Sequence, residues 1–254
     1  MANDAASKVQ AVGWVTIALA VVASTAIAAS AWKHVKTRPK ERTIEVTGSA
    51  KKRIVSDLIE WQGSIETRNM DRTTAYRELK TNVDKALGWL EKQGMDRKTI
   101  RVSSAHTSEE YETEYEGVAD QRIQREKFTG YKMSQTISIR STDVEKVERI
   151  SREVTELLEQ GISVTSYAPA YYYTKLGELK IEMLAAASAD ARERAENIVS
   201  KAGKARLGRL EDADMGVINV NPANSTDTSW QGNNDTTSLE KDILTIVHAT
   251  FELK

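Results

Sequence analysis

The sequence contains no cysteine and only three histidines in 254 residues. The absence of cysteine excludes a disulfide framework, thiol catalysis and thiolate metal sites, although it fits either redox compartment. His34, His106 and His248 share no spacing suited to metal binding, and no HExxH motif occurs. The sequence therefore offers no familiar metal site, and we predict that no metal is bound.

Motifs for other kinds of catalysis and for nucleotide binding are also missing. There is no GxSxG nucleophile elbow that would pair a serine with one of the histidines. The glycines are scattered, without a P-loop or a GxGxxG stretch after a strand, and no EF-hand loop is present. We therefore predict that the protein is not an enzyme and that it carries no cofactor.

An excess of charge of either sign is lacking as well, because 36 basic residues are balanced by 37 acidic ones. A net charge of -1 creates no global field that would attract nucleic acid, so no nucleic-acid partner is predicted. Charged residues make up 29% of the chain, and 254 residues suffice to bury a substantial core. These values suit a well-solvated globular body.

The most conspicuous feature that is present is an uncharged run of 24 residues between Lys8 and Lys33. As a helix this run would extend about 36 Å, enough to cross a hydrocarbon core of about 30 Å. We therefore predict a short leader (1–8), a transmembrane anchor in contact with membrane lipid (9–32) and a basic stalk (33–42).

The uncharged run also allows other interpretations. Residues 29–31, Ala-Ser-Ala, offer a small-x-small site for cleavage of a signal peptide. Ala20, Ser24 and Ala28 recur at every fourth position, a pattern that either packs helices closely in a membrane or reflects simple alanine richness. Four basic residues follow the run, and the positive-inside rule taken alone would place the rest of the chain in the cytoplasm.

The remainder of the chain, residues 43–254, alternates between strand and helix patterns. Several segments alternate apolar and polar residues with period two, as half-buried strands do. Three other segments carry apolar residues at helical spacing. These three stripes are Tyr76, Leu79, Val83, Ala86, Leu87 and Leu90; Val144, Val147, Ile150, Val154, Leu157 and Leu158; and Ile181, Leu184, Ser188, Ala191, Ala195, Ile198 and Ala202.

An internal repeat suggests how these segments are arranged. Residues 64–104 and 138–168 both show a strand, a helix with an acidic start, a glycine and another strand. This order predicts helices on one side of a mostly antiparallel sheet. The predicted fold class is α+β, with an N-terminal transmembrane helix followed by a domain of mostly antiparallel strands and about three helices. A polar loop (221–238) precedes the last strand and has the composition of a flexible excursion.

The strand pattern between residues 109 and 116 predicts a charged surface. Its glutamates alternate with Tyr111, Thr113 and Tyr115, so the two sets project from opposite faces. Basic residues return on the partner strand, where cross-strand ion pairs can form. This surface is either the solvated face of a projecting hairpin or a rim that contacts other subunits. Its candidate contact residues are Glu110, Glu112, Glu114, Glu116, Arg122 and Arg125.

Aromatic residues supply two further candidate contacts. The densest patch runs from Tyr167 to Tyr173, where Tyr171 and Tyr173 share one strand face and Tyr172 lies on the other. Core packing, a subunit contact and ligand stacking all fit this patch, since interfaces favour tyrosine. Trp230 lies in the polar loop, where it either anchors a partner or folds back onto its own domain.

Three blocks of sequence carry a family resemblance. They are IEVTGSAKKR followed by Asp57, GYKMSQTISIRSTD in the middle, and AAASADARERAENIVSKAGKARLG near the end. In this order, over residues 44–220, they resemble the SIMPL-domain family, whose bacterial members include YggE-type proteins and periplasmic immunogenic antigens. The alanine ladder that ends in Leu207-Gly208 is the most specific of the three blocks.

The resemblance implies an α+β domain exported to the cell envelope, without established enzymatic activity. It also implies that copies of the chain assemble into a ring or cage. Members of the family are loosely linked to envelope or oxidative stress. Since large domains translocate largely regardless of flanking charge, we predict an inner-membrane anchor with the soluble domain in the periplasm; the cytoplasmic arrangement is the alternative. The predicted function is a homo-oligomeric scaffold of the envelope. The alternative is a module that binds a ligand or partner through the Tyr167–Tyr173 patch and Trp230.

Overall fold

The computed structural model describes residues 14, 19–33, 42–116, 123–203 and 205–254. Residues 19–33 form helix α1, and every side chain in it is exposed. The predicted leader (1–8) lies outside the described residues, as do residues 34–41 of the predicted stalk.

The predicted transmembrane anchor over residues 9–32 is wrong. Across the described ranges, no helix combines the length and the apolar character needed to cross a membrane. Residues 9–13 and 15–18 of the predicted anchor lie outside the described residues. The predicted inner-membrane localisation depended on this anchor and is wrong in both orientations. Ala20, Ser24 and Ala28 lie on α1, and their predicted packing within a membrane also presupposed the anchor.

The rest of the described chain forms nine strands and three α-helices. The first half contains β1 (Thr43–Val55), β2 (Leu58–Asn69), α2 (Arg72–Lys92), β3 (Ile100–Val102), β4 (His106–Glu116) and β5 (Ile123–Ser141). The second half contains α3 (Val144–Glu153), β6 (Ser163–Ser166), β7 (Ala170–Tyr172), α4 (Leu176–Ala202), β8 (Leu207–Pro222) and β9 (Glu240–Leu253). Short 3₁₀ helices cover Arg97–Thr99 and Val154–Gln160.

Six strands form one sheet in which every pairing is antiparallel. The order is β3-β5-β2-β6, with β4 also pairing with β5 and β7 also pairing with β2. The unit β2-α2-β3 leaves room for β5 between its two strands, and the unit β5-α3-β6 leaves room for β2. The internal repeat therefore corresponds to two interleaved β-α-β units, the split arrangement seen in ferredoxin-like folds.

Helices α2 and α3 cover one face of this sheet, as the repeat predicted. Their buried residues share one cluster with alternate residues of β2 and β5, such as Ile59, Ile65 and Ile137. Helix α2 begins at Asp71, whose carboxylate accepts the backbone N–H of Thr74 at 2.7 Å and so caps an unpaired donor of the first turn. The predicted stripe of α2 is confirmed except at its start.

Ala75, rather than the predicted Tyr76, begins the buried stripe of α2. Ala75 is fully buried, whereas Tyr76 is exposed by half. The amino end of α2 lies close to β2, where the Thr67 hydroxyl donates to the Ala75 carbonyl at 2.9 Å. A small residue fits this close contact and a tyrosine ring does not.

The other three strands form a second antiparallel sheet in the order β1-β9-β8. Helix α4 packs across β1 and β9. At Gly48 the approach is so close that an added Cβ would lie 2.2 Å from the Ala187 carbonyl oxygen and 2.4 Å from the Ala191 nitrogen. Glycine on the strand and alanine on the helix together permit this contact.

The predicted buried face of α4 is only partly right. Ala191 and Ala195 are buried as predicted, but Ile181 and Ile198 are exposed. The buried residues recur at every fourth position along the whole helix, which turns the stripe slowly around the helix axis. They are Leu179, Met183, Ala187, Ala191, Ala195 and Val199.

The segment between β8 and β9, residues 223–239, connects the two sheets. The Leu239 carbonyl accepts the N–H of Ser56 at 2.9 Å, and the Thr236 carbonyl accepts the N–H of Tyr171 at 2.8 Å. Nearby, Asp57 accepts the backbone N–H and the hydroxyl of Thr174, both at 2.7 Å. The polar segment is therefore placed where β1, β2 and β7 meet.

Candidate functional site

The segment 223–239 is built on two buried asparagines at the end of β8. The Asn219 side-chain oxygen accepts the backbone N–H groups of Ser229 at 2.9 Å and Asn233 at 3.1 Å. Asn221 donates to the Asp227 carbonyl at 2.6 Å and accepts from the Asn233 side chain at 2.8 Å. The sequence predicted a flexible excursion here, yet its backbone is fixed by side chains that are almost completely buried.

A buried ion pair fixes the other end of the segment. Lys241, which is 1% exposed, donates to the Asp235 carbonyl oxygen at 2.6 Å and lies 3.3 Å from an Asp235 carboxylate oxygen. Burial alone would raise the pKa of Asp235, but hydrogen bonds from Thr237 and Ser238 and the Lys241 ammonium outweigh it and lower the pKa to about 2. Burial lowers the pKa of Lys241.

Trp230 stands at the middle of this segment and is 91% exposed. A cleft of about 240 Å³ separates it from the sheet face opposite α4. Because this volume lies below the roughly 300–1,000 Å³ of sites for drug-sized ligands, it suits a single ring. We name this cleft the Trp230 slot. Its lining residues are Thr47, Gly216, Val217, Asn219, Thr228, Ser229, Trp230, Ile246 and His248.

The Trp230 slot is lined by polar and apolar side chains and by one histidine, His248. In the described part of the chain, no carboxylate, ammonium or guanidinium group lines it. Thr47 Oγ1 and His248 Nδ1 lie 3.0 Å apart on adjacent strands and form its polar side. The indole of Trp230 and the side chains of Val217 and Ile246 form its apolar side. Such a slot favours a flat, neutral group over an anion or a cation.

The tyrosine patch does not join the Trp230 slot. Tyr171 is buried in the core of the six-stranded sheet, where burial raises the pKa of its phenol. Tyr171, Tyr172 and Tyr173 all line a separate cleft of about 170 Å³ together with Asp235 and Lys241. The predicted strand through this region is two short strands, β6 and β7, that both pair with β2.

The predicted charged surface lies on a projecting hairpin. β4 and β5 pair with each other beyond the last residue of β5 that pairs with β2, so residues 111–116 and 123–128 form a two-stranded arm. On one face of the arm the register places Glu112 opposite Lys127, Glu114 opposite Arg125 and Glu116 opposite Ile123.

Two glutamates of this face, Glu110 and Glu114, form ion pairs within the chain. Glu114 and Lys127 form an ion pair at 2.7 Å, and their hydrogen bond raises the pKa of Lys127. Glu110 pairs with Arg68 of β2 at 2.9 Å. Arg122 lies outside the described residues. The role of this face in subunit contacts stays a prediction.

The opposite face of the arm is aromatic. The rings of Tyr111 and Phe128 lie edge-to-face at 5.6 Å, and those of Phe128 and Tyr131 at 5.2 Å. Tyr115 lies on the same face nearer the tip of the arm, beyond the pair of Thr113 and Glu126, and is 65% exposed. A hydrogen bond to Glu109 raises the pKa of Tyr111. The alternation of tyrosine and glutamate in β4 already placed these rings on one face.

The outer edge of β8 is a third surface, which no sequence pattern indicated. Among the described residues this edge is bridged only near its end, by Val220 and Asn234. Met215 is 67% exposed, and Leu210 and Val217 are also exposed. Helix α4 covers β1 and β9 much more than β8, so these side chains lack a cover. Sequence periodicity shows which residues of a strand share a face, but it does not show which strand lies at the edge of a sheet.

A metal centre finds no support within the described residues, where no group of three or more histidine or carboxylate side chains is placed to hold an ion. Comparison with curated proteins gave no match. A family model, SIMPL, described as a protein of unknown function (DUF541), matches residues 44–245. This range contains the six-stranded sheet, α4, the arm and β8, and it ends within β9, before Ile246 and His248 of the Trp230 slot. Since the match covers well over half of the chain, the protein belongs to the SIMPL family.

Proposed function

We propose that the protein is a homo-oligomeric scaffold whose copies associate through exposed sheet edges. The observation that carries this proposal is the outer edge of β8, a strand of 16 residues. Its pairing with β9 is irregular at three places, but residues 212–215 pair regularly, and their outward backbone donors and acceptors can pair with another strand. Here the edge is accompanied by exposed Leu210, Met215 and Val217.

The charge on β8 favours a head-to-tail contact over a symmetric one. The strand carries Glu211, Asp212 and Asp214 in its middle. Two β8 strands paired antiparallel about this stretch would place carboxylates opposite carboxylates, which is destabilising. A different surface of the second copy is therefore the better partner. Head-to-tail contacts produce a closed ring when the rotation closes and an open filament when it does not.

The variant Met215→Lys tests this proposal. Lysine on an edge strand opposes pairing with a further strand, and the exposed position makes the folded chain tolerate it within about 0.5 kcal/mol. We expect the concentration at half-assembly to rise by about tenfold or more, measured by sedimentation velocity. Ile181→Lys is the matched control, because Ile181 is equally apolar and 73% exposed on α4, away from β8.

Equal assembly of wild type and Met215→Lys at every concentration contradicts an interface at β8. A similar loss in Ile181→Lys shows that added positive charge, rather than the edge, is responsible.

The second candidate is a binding module, and the exposed indole of Trp230 over an uncharged slot favours it. Native mass spectrometry of the protein purified from its own source, beside Trp230→Ala, tests this function. A co-purifying molecule that is present on wild type and absent from the variant supports it. Identical spectra for the two proteins contradict it.

A further inference from the structure

We propose that the aromatic face of the arm of one copy inserts Tyr115 into the Trp230 slot of a second copy. This inference rests on the proposed self-association and specifies one of its contacts. It joins two surfaces of the same chain that each lack a cover: a neutral slot the size of one ring, and a projecting strand pair with a row of rings on one face.

The slot is prepared for a contact before any partner arrives. The backbone on both sides of Trp230 is fixed by Asn219 and Asn221, so the indole is displayed by an ordered segment. An exposed tryptophan on such a support is the residue type that dominates binding energies at protein interfaces. Because the backbone around Trp230 is already ordered, binding a partner there costs little further conformational entropy.

The arm supplies a group that matches this slot. Tyr115 is a flat, neutral ring with a hydroxyl group, and its directly opposite neighbour on β5 is Gln124, which is also uncharged. The hydroxyl offers a hydrogen bond to the Thr47 and His248 side of the slot, while the ring packs between Trp230 and Ile246. Aromatic pairs prefer such offset or edge-to-face contacts.

The arm itself gains support from the contact. Residues 111–116 and 123–128 pair only with each other among the described strands, and they extend about 20 Å from the sheet. A two-stranded ribbon without a packed face is only marginally stable in water. On its charged face Glu114 and Lys127 form a cross-strand ion pair, whereas the rings of the aromatic face contact only one another.

The partner is a second copy because the chain does not satisfy either surface internally. Trp230 is 91% exposed and Tyr115 is 65% exposed, so neither residue covers the other within one chain. Gly216 and Val217 line the slot and belong to β8, so the slot is continuous with the sheet edge proposed above as an interface. The contact joins two different surfaces and is therefore head-to-tail.

Two variants of the full-length chain test the contact, one on each side. Trp230→Ala removes the slot and Tyr115→Ala removes the inserted ring, and both positions are exposed enough to leave the fold intact. We expect each variant to need at least about tenfold higher concentration for half-assembly than wild type, measured by mass photometry and sedimentation velocity. Tyr115→Phe keeps the ring but removes the hydroxyl group, so we expect its concentration for half-assembly to lie between those of wild type and Tyr115→Ala. Tyr76→Ala removes an exposed tyrosine from α2, and we expect it to assemble like wild type.

Mixing the two variants gives the decisive result. Trp230→Ala retains an intact arm and Tyr115→Ala retains an intact slot, so one good contact can form between them. At a concentration where each variant alone is a single copy, the equimolar mixture should form a species of two copies. A mixture that stays at single copies contradicts the proposed contact, as does either variant assembling like wild type. A wild-type chain that is itself a single copy contradicts the proposed function, whereas an assembled wild type with unaffected variants contradicts only this contact.

Discussion

Gly48 shows at the residue scale how closely α4 approaches the three-stranded sheet. An added methyl group would overlap the backbone of Ala187 and Ala191, and backbone atoms cannot rotate away as a side chain does. We expect Gly48→Ala to lower the free energy of unfolding by about 1–3 kcal/mol. Urea unfolding followed by circular dichroism measures the change.

Gly88→Ala is the matched control for this prediction. Gly88 lies in α2, and nothing lies within 4 Å of its added Cβ. The control should raise the free energy of unfolding by about 0.5–1 kcal/mol, because glycine weakens a helix interior. Equal effects of the two substitutions would show that α4 does not pack on Gly48 as described.

Two buried aspartate side chains make the free energy of unfolding depend on pH in the acidic range. The Arg53 guanidinium, bonded to Asp242 at 3.0 Å, holds the pKa of that carboxyl well below its usual range, and the pKa of Asp235 is lowered to about 2. A carboxyl whose pKa is lower in the folded state stabilises the fold at every pH above its unfolded pKa of about 3.9. This stabilisation is lost as the pH falls through the folded pKa. We expect the free energy of unfolding to be flat between pH 7 and 5 and to fall steadily from about pH 4 toward pH 2.

The variant Asp242→Asn separates this effect from general acid sensitivity. It should be less stable than wild type at pH 7 by roughly 2 kcal/mol, less than for a fully buried pair because Arg53 is half exposed. Its loss of stability between pH 4 and 2 should be smaller than that of wild type. Parallel curves for the two proteins would exclude Asp242 as a source of the acid dependence.

The arm offers a test at the scale of a structural element. The ion pair of Glu114 and Lys127 lies on its charged face, and Tyr115 lies on its aromatic face. Substitutions on the two faces therefore have different expected effects on assembly. Glu114→Lys should change the free energy of unfolding by less than about 1 kcal/mol, because exposed pairs contribute little. The exchange Glu114→Lys with Lys127→Glu should restore the pair.

Sedimentation velocity at low and high salt then decides which face meets a neighbour. If the charged face is free, both variants assemble like wild type at every salt concentration. A single variant that fails to assemble, together with a double variant that also fails, would show that the glutamates contact the next copy directly.

Local patterns in the sequence predicted individual elements better than their arrangement. The stripe of α2 and the interleaved repeat follow from spacing alone, and Asp143, at the start of the second repeat, caps α3 as its position indicates. Pairing between strands distant in sequence is different, because it depends on contacts that no local pattern encodes. The division into two sheets and the free edge of β8 are therefore visible only in the folded chain.

The candidate site shows the same limit. Trp230 was identified because an aromatic residue is unusual in a polar loop, but its slot also needs Thr47 and His248, which lie about 200 residues apart along the chain. The composition of residues 221–238 suggested flexibility. Asn219 and Asn221 reverse this expectation, because a buried amide side chain binds several backbone groups at once.

At the scale of the whole molecule, the three exposed surfaces described above belong to different parts of the fold. The arm extends from the six-stranded sheet, whereas the β8 edge and the Trp230 slot belong to the three-stranded sheet. A single chain cannot bury all of them against itself as they stand. Association of several copies is the simplest way to cover an aromatic face, an open edge and an exposed indole together.

The mass of the full-length particle as a function of protein concentration tests this account most directly. Sedimentation velocity and mass photometry from nanomolar to high micromolar concentration should show the single 28.3 kDa chain giving way to a discrete larger species or to a growing series of masses. The account predicts this transition for wild type and its displacement to higher concentration for Met215→Lys. A mass that stays at one chain over the whole range would contradict the account.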